Sequence, residues 1–193
     1  MELSTFLSVL QRFEIKIVAD VRSNPRSQRN PQFDQAELEG TLKEAGVRYL
    51  FLGEELGGRP EDPKVYRSDG LVDYRVCRRR REFMAGVERL VQELNKSDVV
   101  LMCAEEDPLS CHRFLMICPE FTALGIEPIH IRKGGYRETQ RDAEDRLLNS
   151  KKMAAVAGNS LFAEDRMAAL ESAYVAQSET CAFRIDPGTL DIW

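Results

Sequence analysis

The sequence holds no apolar run approaching the length of a membrane span, so a helical membrane anchor is not expected within it. Its opening residues, Met1-Glu2-Leu3-Ser4-Thr5-Phe6, lack the basic start and apolar stretch of a secretory leader. The expectation is a cytoplasmic protein with no membrane partner. Excess positive charge is missing too: 27 Lys and Arg stand against 32 Asp and Glu, for a net charge of -5. That argues against a general polyanion binder. No internal repeat or low-complexity segment is present, and no close Cys-x-x-Cys or His-x-x-x-His pair announces a metal centre. Nor is a disulfide framework called for. The five cysteines (Cys77, Cys103, Cys111, Cys118 and Cys181) are odd in number, and 193 residues bury a core without covalent staples, so thiols are expected.

What is present has the balance of a globular protein, with 43% apolar and 31% charged residues. The charge is uneven. Arg22, Arg26 and Arg29 lie in a stretch without acids, Arg75 and Arg78 to Arg81 form a second basic run, and acids dominate the last third. A local anion site on an acidic protein is therefore allowed. The run of Arg78 to Arg81 opens a helix whose dipole it opposes. It reads as a solvated face, with a nucleic-acid footprint as the alternative.

Periodicity outlines the elements. Leu3, Phe6, Leu7, Leu10 and Phe13 share one helical face, and Ile15 to Ala19 reads as a buried strand ending at Asp20. Asp34-x-x-Glu37 resembles a capping box, and Gly46 is a natural stop for the helix that follows. Val47 to Leu52 reads as a second strand, and Gly53 to Gly70 as a long loop of the kind that often carries function. Phe83, Val87, Leu90, Val91 and Leu94 mark an amphipathic helix, and Asp98 to Cys103 a strand. A helix is expected from Cys111 to Leu124. It should kink near Cys118-Pro119, because an interior proline costs about 3 kcal/mol. Ile126 to Ile131 reads as a further strand. The chain beyond Gly134-Gly135 reads as helical and polar, with Leu161, Met167, Leu170 and Tyr174 on a packing face.

Strands alternating with helices predict an α/β fold in three layers, with a mostly parallel central sheet of about four to five strands and a helical C-terminal segment. Residues 1–135 would form the α/β core and 136–193 a helical extension packed on it, able to mediate a homo-oligomer. In such sheets ligands bind beyond the C-terminal strand ends. Asp20 and Cys103 both fall there.

Three segments, DVRSNPRSQRNPQF (Asp20 to Phe33), YLFLGEELGGRP (Tyr49 to Pro60) and LMCAEEDPLSCHR (Leu101 to Arg113), resemble the family catalogued as domain of unknown function 488. Gly125, Ile129-His130-Ile131 and the later SLFAEDRMAALESAYVAQ (Ser160 to Gln177) fit as well. Family members often open on a strand and a Gly-His-Ser turn, whereas this chain begins at the helix. Pro119 also departs from the pattern. The resemblance implies the fold and carries no assigned reaction.

Cys103-Ala-Glu105-Glu106-Asp107-Pro108-Leu109-Ser110-Cys111-His112-Arg113 carries the densest chemistry. A helix beginning there would offer N–H groups to an anion, Arg113 a bidentate grip, Cys111 a reactive thiol and His112 a proton relay. Cys103 is as readily a plain core residue. Asp20 reads as a general base, or as a structural partner of Arg22; Asp20 and Glu105 could divide acid and base roles. Arg22, Arg26, Arg59 and Arg113 are the candidate anion ligands, and Asp20, Cys103, Glu105, Cys111 and His112 the candidate catalytic groups, sharing one pocket. Tyr49 and Phe33 read as core aromatics, with stacking on a base as the alternative. The layout is similar to rhodanese and cysteine-phosphatase loops, but neither Cys103 nor Cys111 stands at the phosphatase distance from Arg113.

Three functions fit. The first is an enzyme acting on a phosphate-bearing small molecule, nucleotide or nucleic acid. The second is a non-catalytic module binding nucleotide or nucleic acid. The third is a zinc-containing structural protein using Cys103, Cys111 and His112 with one further ligand. The spacing favours no metal, and no cofactor is specified.

Overall fold

In a computed structural model, which describes residues 2–27, 29–154 and 163–188, the chain divides into two compact units. Met1–Pro60 and Arg79–Ala104 form the first, Glu61–Arg78 and Glu105–Trp193 the second. In chain order the elements are α1 (Leu3–Arg12), β1 (Ile17–Asp20), α2 (Gln35–Glu44), β2 (Arg48–Phe51), the short α3 (Gly53–Leu56), α4 (Tyr74–Cys77), α5 (Arg81–Leu94), β3 (Val99–Met102), α6 (Cys118–Ala123), β4 (Ile129–Arg132), β5 (Tyr136–Thr139), α7 (Gln140–Ser150) and α8 (Ala163–Cys181). No helix among the described residues is long and apolar enough to cross a membrane.

The first unit is built on a three-stranded parallel sheet of order β2-β1-β3. Central β1 is buried at all four positions: Ile17, Val18 and Ala19 suit a strand paired on both sides, and the fourth is the carboxylate of Asp20. The register sets Asp20 opposite Phe51 on β2 and Met102 on β3, so all three strands end together. Leu10 of α1, Leu38 and Leu42 of α2, Val18, Val47 and Met102 form the core, with Phe6 and Phe33 meeting edge to face at 5.5 Å against it. The capping box expected at Asp34 does not form. The Asp34 carboxylate accepts the Ser27 N–H instead and makes no cap bond to α2. Gly46 does stop α2, in the left-handed region at φ +72°.

The expected four-to-five-stranded sheet is corrected here. The strand predicted at Ile126 to Ile131 appears as β4, which pairs antiparallel with β5, a strand read from sequence as helical. The reason is local. Lys133-Gly134-Gly135 joins the two, and both glycines have positive φ, so the chain reverses at once. An apolar run alone does not specify its partner. The architecture is an α/β fold whose helices pack around two small sheets of three and two strands, with C-terminal helices.

The break expected near Cys118-Pro119 is present. Residues Arg113–Ile117 form a wide π turn, and α6 starts afresh with Pro119 in its first turn, where a missing N–H leaves no bond unmade. Thr139 and Asp142 form a reciprocal capping box at the start of α7. Among the α8 residues whose burial is described, Ala169 and Ala173 are the buried ones while Met167 is 70% exposed; Leu161 lies outside the described residues. Tyr174 does pack inward, its ring 5.1 Å from that of Phe114.

Candidate functional site

The sequence-predicted residues fall in both units: Asp20, Arg22, Arg26, Arg59 and Cys103 in the first, Glu105, Cys111, His112 and Arg113 in the second. Each set is built by its own local structure.

In the first unit, β1 delivers Asp20 to the C-terminal edge of the sheet, wholly buried. Its carboxylate accepts four donors: the Arg22 backbone N–H at 3.1 Å, Arg22 Nε at 2.9 Å, Arg22 Nη2 at 2.6 Å and the Tyr49 hydroxyl at 2.7 Å. Burial works against the Arg22 charge, but Asp20 outweighs it and raises the guanidinium pKa. The Tyr49 hydroxyl is pushed well above its ordinary value by burial and by the neighbouring Asp20. Tyr49, read from sequence as a core aromatic, is thus a member of this network. Cys103 is half-buried one position after β3, at the edge that carries Asp20.

Beyond that edge, Ser23 Oγ accepts the Arg59 backbone N–H at 2.9 Å, while Arg26 and Arg59 are exposed. Two glycines permit this closeness. A Cβ on Gly53 would lie 2.1 Å from the Arg22 carbonyl oxygen, and one on Gly57 2.3 Å from Ser23 Oγ.

In the second unit the three consecutive acids part ways. Glu106 turns to Arg132 (3.1 Å) and to the Lys133 N–H (3.0 Å). Asp107 accepts the Leu109 N–H (3.1 Å), which folds Pro108–Ser110 into a 3-10 turn, and pairs with Arg146 at 2.8 Å. Glu105 remains exposed and faces Cys111.

The turn sets Cys111 just before the π turn, with 1% of it exposed. Its carbonyl accepts the Phe114 and Leu115 N–H groups. Its sulfur donates to Glu105 Oε2 at 3.6 Å, receives Arg113 Nε at 3.1 Å and lies 3.9 Å from His112 Nδ1. Arg113 also donates from Nη2 to the Glu105 carbonyl at 2.6 Å, tying the two ends of the loop together. Glu105, Cys111 and His112 each offer a donor atom, all within 4.8 Å of one another. A cluster of this kind can bind a ligand or a metal ion, or act on a substrate.

The sequence expectation of a regular helix opening at Cys111 is not met, since five residues of π turn intervene before α6. None of the other cysteines is in a disulfide. Burial pushes Cys118 up to about 12 and raises Cys181, which keeps both protonated. Arg132, Arg146 and Glu138 join Glu106 and Asp107 in one ion-pair network that nothing in the sequence announced.

Neither the curated proteins nor the solved structures contain a match to the chain. One family model does match, over residues 2–117, a span holding the whole of the Asp20–Phe33, Tyr49–Pro60 and Leu101–Arg113 segments and leaving residues 118–193 outside it. With the match covering more than half of its length, the chain belongs to the family described as Domain of unknown function DUF488.

Proposed function

We propose that the protein is an enzyme acting on a phosphate-bearing small molecule, nucleotide or nucleic-acid substrate, with Glu105, Cys111 and His112 as its reacting groups and Arg113 as its anion anchor. The observation that carries this is the convergence on one sulfur of a carboxylate oxygen, a guanidinium N–H and an imidazole nitrogen, at 3.6, 3.1 and 3.9 Å. Chemistry on an anion uses such parts: a sulfur, a carboxylate able to take its proton, a ring nitrogen able to relay one, and a fixed positive charge. Glu105 supplies the solvent-facing side, while Cys111 and His112 are sheltered. Asp20 is not a reacting group in this reading, since four donors from Arg22 and Tyr49 already occupy its carboxylate.

The test is turnover of a panel of phosphomonoesters, phosphodiesters and nucleotides by the full chain. Cys111→Ser and Glu105→Gln should each lower kcat/KM about 100-fold or more, the scale of a lost acid–base partner. Unchanged turnover in both variants would remove this site from the reaction. Anion binding without turnover, lost in Arg113→Ala and kept in Cys111→Ser, would establish the non-catalytic binding module instead.

A further inference from the structure

We infer that Glu105, Cys111 and His112 form a three-ligand site for one zinc-class divalent cation, held by the Glu105 carboxylate, Cys111 Sγ and His112 Nδ1. The inference rests on the same residues as the proposed function and deepens it: with an ion bound they serve as its ligands, and the ion supplies the electrophile.

The distances are the first argument. Around a tetrahedral ion with a sulfur bond of about 2.3 Å and oxygen or nitrogen bonds of about 2.0–2.1 Å, the sulfur stands roughly 3.5 Å from each other donor. Here the sulfur lies 3.6 Å from Glu105 Oε2 and 3.9 Å from His112 Nδ1. The sulfur already stands near ligand spacing from both partners, and the three donors lie within 4.8 Å of one another.

Donor chemistry selects the ion. Calcium and magnesium take oxygen cages, whereas one thiolate, one imidazole and one carboxylate suit zinc and its neighbours. Three ligands from this one unit leave a fourth position for a further donor, a water or a substrate to fill.

Arg113 supplies the second argument. Its Nε lies 3.1 Å from the sulfur, and a hydrogen bond to a ligand atom is how outer groups orient metal ligands. Charge then accounts for an anionic substrate. Without an ion, the exposed Glu105 carboxylate opposes the positive Arg113. With one, thiolate and carboxylate balance the dication, and Arg113 leaves the site net positive. Binding releases the thiol proton of Cys111 to solvent. An ion bound here would polarise a substrate oxygen or lower the pKa of a bound water.

The experiment is titration of the chelator-stripped full chain with cobalt(II), then displacement by zinc(II), followed by absorption and by metal analysis. One equivalent of cobalt should produce thiolate-to-metal charge-transfer absorption, and zinc should abolish it. Cys111→Ser should diminish the band and weaken affinity at least tenfold. Glu105→Gln, at an exposed position that does not threaten the fold, should weaken it by at least about tenfold, and Arg113→Lys by about 10–100-fold. Absence of the band in the wild type overturns the inference, as does unchanged affinity in both Cys111→Ser and Glu105→Gln. The two readings separate cleanly. Ester turnover that survives a chelator yet falls in Cys111→Ser keeps the enzyme and removes the metal. Stoichiometric metal with no turnover of any ester keeps the metal and removes the enzyme.

Discussion

Asp20 shows how much one buried carboxylate can organise. It is fully enclosed, and Arg22 beside it is only 9% exposed. Replacing Asp20 with Asn would leave the Arg22 charge buried without its counter-ion, a change expected to cost about 3–5 kcal/mol. Tyr49→Phe removes a single hydroxyl donor and should cost about 1 kcal/mol. Urea denaturation of both variants checks this, and equal losses in the two would contradict the network. The Asp20–Arg22 pair was legible in the sequence because both residues sit at the end of one apolar run. Tyr49 was not, because its partner lies on a neighbouring strand and side-chain direction is invisible to periodicity. The same limit applied to Glu105, Glu106 and Asp107: three adjacent acids, with nothing in the sequence to say that the first faces a sulfur and the others face arginines.

Elements were legible where hydrophobic spacing is strong and obscure where hydrogen-bond competition decides. The amphipathic α1 and α5 and the parallel β1, β2 and β3 lie close to where the pattern sets them. The capping boxes show the opposite case. Asp34-x-x-Glu37 has the pattern and forms no box, because Ser27 captures the aspartate, whereas Thr139 and Asp142 form one without having been read. The short α3 was read as loop, yet it carries the close approach that shapes the loop after β1. A Cβ on Gly57 would lie 2.2 Å from the Gly53 carbonyl oxygen and 3.0 Å from Ser23 Cα, both backbone atoms that cannot swing aside. Gly57→Ala should therefore destabilise by about 1–3 kcal/mol through overpacking. It should also free the Arg59 amide from Ser23 Oγ, seen as faster hydrogen exchange at that amide. Wild-type stability and exchange in Gly57→Ala would mean that the loop yields easily.

At the scale of the whole molecule, the division into two units was the least legible feature. The chain passes between them three times, and residues 61–78 join a unit otherwise made of residues after 104. No composition shift marks those passages. What distinguishes the second unit is electrostatic. Arg146 holds Asp107 below the ordinary carboxylate range, and Arg132 does the same for Glu106. For Glu138, burial pulls upward, but Arg146 and Arg132 prevail and keep it low. His130 is lowered by burial, against the opposing hydrogen bond with Gln140. The signs agree. Each group takes up its proton at a higher pH in the unfolded chain than in the folded one, so acid favours unfolding. The His130 contribution is complete above its ordinary value of 6.5 and is lost as pH falls through its lowered folded value. That of the carboxylates is lost at lower pH, from their ordinary range downward. Hydrogen exchange of the β4–β5 amides, corrected for its intrinsic pH dependence, should therefore lose protection in two stages on acidification. His130→Gln should remove the first stage and Glu138→Gln reduce the second. Protection that stays flat from neutral pH to below the carboxylate range would show that these pairs lie on the surface without holding the hairpin in place.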